Sequence, residues 1–387
     1  MSLTAETLFR PYESTTQLSL EMPSDRQADL DAKQALVASL LKETGCEGLL
    51  VLEPENFAWL TSGATARGVL DPAELPALYF SAEQRWVIAG NVDSQRLFDE
   101  ELDGLGFQLK EWPWHWGREQ LLSDLCQGRK VACDRPFGSC VLAGEQLRRQ
   151  RRALTVYEQA CYHALGQTLS HALEATCRTM RPGETEREIA GQVSHRLLHR
   201  GVTPLTVGVA ADGRSRLYRQ CGFTATPVTQ YCVLSAAARK YGLCAMASRS
   251  VCFGKIDSAF RQEHDTACKV AATYVASTWP DAVPHQILMT GRRVLQICGF
   301  EHEWLLAPQG HVTGRSPVEL TICPSTADLF QPGWAVTWAS TVGAACSCDT
   351  FIISDEGPIL VTPTAQWEVK GIRVQGANFF RPDVLQR

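Results

Sequence analysis

The sequence has no run of about 18 apolar residues, the length a helix needs to cross a bilayer. Its opening, MSLTAETLFR, lacks the apolar core of a secretory signal. A cytoplasmic protein with no membrane attachment is therefore the expectation. Basic excess is also missing: 37 Lys and Arg stand against 42 Asp and Glu, a formal charge of −5. A nucleic-acid or anionic-membrane surface needs the opposite balance, so nucleic acid is not an expected partner. Regular cysteine spacing is absent too. The fifteen cysteines are odd in number and mostly single, as at Cys161, Cys177, Cys232, Cys252, Cys268 and Cys298 inside apolar runs. No disulfide framework is expected, and the pattern suits small buried hydrophobes in a reducing compartment. The close pair Cys346-Ser347-Cys348 is a weak signal for metal or redox chemistry. No internal repeat or low-complexity tract is read.

What is present is the balance of a globular protein, 45% hydrophobic and 20% charged over 387 residues, enough for two or three domains. Residues 1–25 read as a polar arm. From Asp29 to Lys42, Leu30, Val37, Leu40 and Leu41 form one helical face, and Gly48–Leu52 reads as a buried strand. Strands at Ala77–Phe80, Arg85–Ile88 and Lys130–Ala132, with a helix over Glu119–Leu125, make 26–150 an α/β domain. Leu147–Leu154, with four arginines, reads as a solvated linker. Trp112, Trp114 and Trp116 alternate around Pro113 and His115, which places all three on one face of an extended segment.

The second domain, 154–387, opens with a long helix marked by Tyr157, Cys161, Leu165, Leu169, Ala172, Leu173 and Met180. Thr185 and Glu188 have the spacing of a capping box, and Gly201 stands where a helix-ending glycine belongs. Helices over Asp257–Ser277 and Pro284–Cys298 are followed by strands at Ala335–Trp338, Thr350–Ile353 and Ile359–Val361. Helices on an antiparallel sheet give an α+β domain.

Several segments resemble one known family. Arg181–Ala190 is similar to the helix–turn–helix entry of Xaa-Pro aminopeptidases, prolidases and creatinase. Leu329–Thr337 resembles their "L-x-P-G-M-x-x-T" strand entry. Lys240-Tyr241-Gly242 with Ser248–Gly254 resembles their hairpin, and Asn56–Gly63 their amino-terminal "N-x-x-Y-L-T-G". The resemblance implies an α+β pita-bread domain behind a smaller creatinase-type α/β domain, and a homodimer.

The site departs from that family. Its peptidases hold two divalent ions with two Asp, one His and two Glu. In register with Arg249 and with Gln331-Pro332-Gly333, those positions become Ser235, Met246, Ala339 and Cys348. His311, in Gly310–Gly314, keeps the ligand histidine, while Val318 stands where a second histidine is usual. Hard cations need several anionic oxygens converging on one point, so no cofactor is expected. Where creatinase carries its proton-shuttling histidine, the chain has Asp212–Arg219 with Arg214, Arg216, Tyr218 and Arg219.

The candidate residues follow. His311 is the catalytic candidate, with Glu319 to orient it. Arg67, Arg216, Tyr218, Arg219 and Arg249 are substrate-binding candidates, since guanidinium forks match carboxylates. The triplet Glu301-His302-Glu303 reads as a charged loop. Two functions remain open. One is a catalytically degenerate aminopeptidase-like protein binding a peptide or small anionic ligand in the former cleft. The other is a metal-independent, creatinase-like hydrolase of a small amide, amidine or peptide.

Overall fold

The structure, a computed structural model, describes residues 25–66 and 74–387. All but Asp25 of the expected polar arm lies outside those residues. Two compact units separate, one reaching to Glu158 together with 241–243, the other formed by Gln159–Lys240 and Cys244–Arg387.

The amino-terminal unit is a mixed sheet with helices. Helix α1 (Arg26–Thr44) buries the expected stripe of Leu30, Val37, Leu40 and Leu41. Strand β1 (Gly48–Val51) is buried along its whole length, which is why it reads as an unbroken apolar run. Helix α2 (Pro54–Leu60) follows with proline in its first turn, where a missing N–H costs nothing. Next come β2 (Ala77–Phe80), β3 (Arg85–Gly90), the short α3 (Ser94–Arg96) and β4 (Gln108–Trp112). Helix α4 (Glu119–Cys126), β5 (Val131–Cys133), β6 (Val141–Leu142) and α5 (Gly144–Gln150) complete the unit. The strand order is β4-β3-β2-β1-β5-β6, with β1 antiparallel to β2 and parallel to β5.

Two expectations fail here. The arginine-rich "linker" is helix α5 and its cap. Arg151 and Arg152 are buried, and Arg151 Nη1 donates to Asn56 Oδ1 at 2.7 Å. A run of charge marks solvent only where no polar partner waits inside. The tryptophans do not share a face either, because β4 ends at buried Trp112 and a turn through Pro113 leaves Trp114 and Trp116 exposed.

The carboxy-terminal unit repeats one order of elements: two helices, then antiparallel strands. The first set is α6 (Val156–Thr179), α7 (Glu186–Leu198), β7 (Thr203–Ala211), β8 (Tyr231–Lys240) and β9 (Leu243–Cys252). The second is α8 (Ser258–Ala276), α9 (Pro284–Ile297), β10 (Gly310–Thr313), β11 (Leu320–Thr321), β12 (Ala335–Val342), β13 (Ala345–Ser354) and β14 (Gly357–Leu360). The capping box of α7 is present in both halves, Glu188 N donating to Thr185 Oγ1 and Thr185 N to Glu188 Oε2. Asp257 caps α8, accepting from the Ala259 and Phe260 amides. Helix α9 reaches α8 closely because residue 291 is glycine: a Cβ there would lie 2.1 Å from the Tyr274 ring. Tyr274 in turn stacks on Trp338 of β12, with ring centroids 4.6 Å apart.

The chain then forms the hairpin β15 (Val369–Val374) and β16 (Ala377–Pro382), and β17 (Val384–Gln386) joins β9 in parallel. The tail is held by charge. Arg381 Nη2 meets Asp349 Oδ2 at 2.5 Å, and the other oxygen of Asp349 meets Arg249 Nη1 at 3.1 Å. Arg249 is fully buried and also pairs with Glu174 of α6 at 3.4 Å. It donates further to the carbonyls of Ser248 and Thr362. Asp349→Ala leaves two buried guanidinium groups without their shared carboxylate. A loss of about 3–5 kcal/mol is expected in urea unfolding, whereas a change within 0.5 kcal/mol would contradict this role for Asp349.

His264 on α8 gives the fold a pH limit. It is buried, with Nε2 3.4 Å from Cys268 Sγ and 3.5 Å from Asp383 Oδ1. Burial outweighs the Asp383 charge and lowers its pKa from 6.5 to about 4. Between those values the unfolded chain binds a proton that the folded chain refuses, so stability falls as pH falls. The expected slope from this residue is about 1.4 kcal/mol per pH unit. His264→Gln should flatten the pH dependence of the urea midpoint across that window.

Candidate active-site face

Strand register brings onto one face most of the positions that the resemblance aligns with metal ligands. Ala339 and Cys348 are direct partners across β12 and β13. In the adjacent row His311 pairs with Thr337, and Thr337 with Thr350. Partners across a ladder share a face and alternate residues share it too, so His311, Thr337, Ala339, Cys348 and Thr350 all point the same way. Their neighbours Trp338 and Asp349 point to the other side, into the helix layer and the ionic lattice. Met246 of β9 adjoins the row through Thr350, whose Oγ1 accepts from Met246 N at 3.0 Å and lies 2.9 Å from Met246 O. Ser235 on β8 pairs with Gly208 of β7.

The hydroxyls on this face are committed to the frame. Thr350 Oγ1 has one proton, which goes to Met246 O. Thr337 Oγ1, 3.0 Å away, must then be the donor to Thr350. Ser248 Oγ donates to Cys346 O at 3.2 Å and accepts from Cys348 N at 3.0 Å. These bonds sew β9 to β13. Burial pushes the Cys348 thiol well above its ordinary value and keeps it protonated. Burial lowers the His311 pKa, leaving a neutral imidazole at neutral pH. Glu319 accepts from Ser316 N at 2.9 Å and closes the turn after β10. Among the described residues no group of three or more His, Cys, Asp or Glu is placed to hold a metal ion.

The arginine loop is engaged elsewhere. Arg214 bonds the buried carboxylate of Glu186 at 2.7 Å. Burial alone would raise that carboxyl, yet the Ala211 and Thr224 amides, the Thr224 hydroxyl and Arg214 hold it below its usual range. Arg216 forks onto Glu263 at 3.1 and 2.9 Å and donates to Tyr231 Oη. Arg219 donates to Gly343 O at 2.7 Å and pairs with Glu303 at 2.8 Å. All four backbone groups of the β12–β13 turn are thereby bound. Gly343 N donates to Glu303, Gly343 O accepts from Arg219, Ala344 N donates to Glu263, and Ala344 O accepts from Ser215. Gly343 has φ +56°, and a Cβ there would meet the Glu263 carboxyl at 2.2 Å.

The structure thus gathers His311, Met246, Ala339 and Cys348, and draws the arginines away from them. Arg249 faces the opposite layer, at 1% exposure. Tyr218 is exposed, its ring 5.6 Å from the Arg214 guanidinium. Arg67 lies outside the described residues. Sequence reasoning missed Glu263 and Glu303 as holders of the turn. Glu263 sits among the buried residues of α8, and a carboxylate on an apolar stripe was the available signal.

Residues 160–343 match the family model of metallopeptidase family M24. Among solved structures, the chain is similar to the dipeptidase PepE from Mycobacterium ulcerans, at 17% identity and TM-score 0.72, over 88% of this chain and 97% of that one. The prolidase from Pyrococcus horikoshii matches at 14% identity and TM-score 0.73, over 86% and 99%. The N-terminal domain of the FACT complex subunit SPT16 from chickpea, Cicer arietinum, matches at 11% identity and TM-score 0.64, over 88% and 97%. No curated protein matches by sequence. The carboxy-terminal domain has the pita-bread fold of these structures and follows a mixed α/β amino-terminal domain. Among the described residues no helix is long and apolar enough to cross a membrane.

Thr350→Val removes the hydroxyl that bonds both backbone groups of the half-buried Met246 and leaves them without that partner. A loss of about 1–3 kcal/mol is expected, measured by urea unfolding, and Thr350→Ser should restore most of it.

Proposed function

We propose that this chain is a prolidase-like protein that works without a metal centre and has lost peptidase chemistry. The former catalytic face then serves to bind a peptide-like ligand. The observation that carries this reading is the direct pairing of Ala339 with Cys348 at the two positions where relatives in the resemblance place glutamates. A pair of hard divalent ions needs converging carboxylates. In place of carboxylates, the positions that the resemblance aligns with metal ligands carry the imidazole of His311, the thioether of Met246, the hydroxyl of Ser235, the methyl of Ala339 and, at Cys348, a thiol that stays protonated. That donor set does not fit such ions, and no metal step is derived for it. Fold alone does not argue for a peptidase, since a subunit of the FACT complex has the same fold. A peptide is favoured over a small anion because Arg216 and Arg219 are bound to Glu263, Glu303 and the Gly343–Ala344 turn. The proposal includes a homodimer, as the resemblance implies, and a cytoplasmic location.

A second reading keeps catalysis at His311. Its imidazole is neutral, and a neutral imidazole can take a proton at physiological pH. Here the chain would hydrolyse a small amide or amidine without metal.

The test is direct. The purified protein is incubated with Mn²⁺, its bound metal is measured after desalting, and Xaa-Pro peptides are assayed. The first reading expects neither stoichiometric metal nor turnover, together with a rise in melting temperature on adding a peptide that binds. Turnover with bound manganese would overturn it, as would no thermal shift across a broad peptide panel. Metal-free amide hydrolysis that is abolished in His311→Ala would establish the second reading instead.

A further inference from the structure

The fifteen cysteines are all reduced in this structure, but two of them touch. Cys126 Sγ and Cys140 Sγ lie 3.8 Å apart, and both side chains are half-buried. Cys126 is the last residue of α4, and Cys140 immediately precedes β6. Each adjoins a pliable stretch. Gly128 follows Cys126 at φ +71° and Gly138 precedes Cys140 at φ +49°, and neither has an atom within 4 Å of where a Cβ would stand. A disulfide needs the sulfurs at about 2.0 Å, a closure that side-chain rotation and small shifts in these two turns can supply.

We propose that Cys126 and Cys140 form a modification site, a thiol pair that closes into a disulfide on reaction with a low-molecular-weight disulfide such as oxidised glutathione. In the first step the Cys140 thiolate attacks one glutathione sulfur. A mixed disulfide forms and the other glutathione leaves as thiolate, taking up a proton. Cys126 then loses its proton to solvent and attacks the Cys140 sulfur, and the second glutathione departs. Two protein thiols are oxidised, and one glutathione disulfide is reduced to two thiols. Cys126 is the later of the two to attack, because burial and the neighbouring Cys140 push its thiol up to about 12 and keep it protonated before the mixed disulfide forms. Cys133 is near both but buried in β5 at 0% exposure, which keeps it from the oxidant. The bond closes the loop between α4 and β6, which limits the unfolded chain and raises the melting temperature by a few degrees.

The full chain is equilibrated in reduced and oxidised glutathione at graded ratios, quenched with N-ethylmaleimide and digested with trypsin. The expected product is a link between the peptides 119–129 and 131–148. The second peptide carries both Cys133 and Cys140, so the link must vanish in Cys140→Ala and persist in Cys133→Ala. Alkylation of both thiols at every ratio would overturn the proposal. So would glutathione held on a single cysteine without a cross-link, or a link that survives in Cys140→Ala.

Discussion

One carboxylate, Asp349, lies between two buried guanidinium groups, and the carboxy-terminal domain is organised around it. Arg249 brings in β9 and, through Glu174, helix α6; Arg381 brings in the terminal hairpin. Thr362 Oγ1 adds a bond to the same carboxylate at 2.8 Å. Removing such charges from water is costly, and the lattice is tolerable only because each group has several partners. What it achieves is placement. Because side chains alternate along a strand, fixing Asp349 on one side of β13 fixes Cys348 and Thr350 on the other.

The turn end of the same strand pair is held by a second charge network. Glu263, Glu303, Arg219 and Ser215 bind every backbone group of the Gly343–Ala344 turn. With the middle and the turn end of the β12–β13 ladder fixed, the Ala339–Cys348 rung between them stays in register whatever side chains it carries. The frame and the chemistry of the site are therefore separable. Ala339 and Cys348 still oppose each other, although neither offers the anionic oxygen that a divalent ion requires.

Much of the fold was legible from patterns that depend on local physics. The α1 stripe, the α7 capping box and the buried run of β1 all appear within a residue or three of where periodicity places them. The alignment that put His311, Met246, Ala339 and Cys348 at one site rests on spacing, and register gives the four a common neighbourhood. Less legible were features decided by partners far along the chain. The arginines at 151 and 152 read as solvated because no sequence pattern pairs Arg151 with Asn56, 95 residues away. Arg216 and Arg219 looked available to a ligand because their partners, Glu263 and Glu303, lie on later elements. The terminal strands β15 to β17 were not read, since short strands with mixed burial carry little alternation.

The face that holds His311, Met246, Ala339 and Cys348 lacks converging carboxylates. Crystals soaked in Mn²⁺ and measured at the manganese absorption edge test it most directly. The account predicts no anomalous density within bonding distance of those residues. A pair of strong peaks there, bridged by protein oxygens, would contradict it.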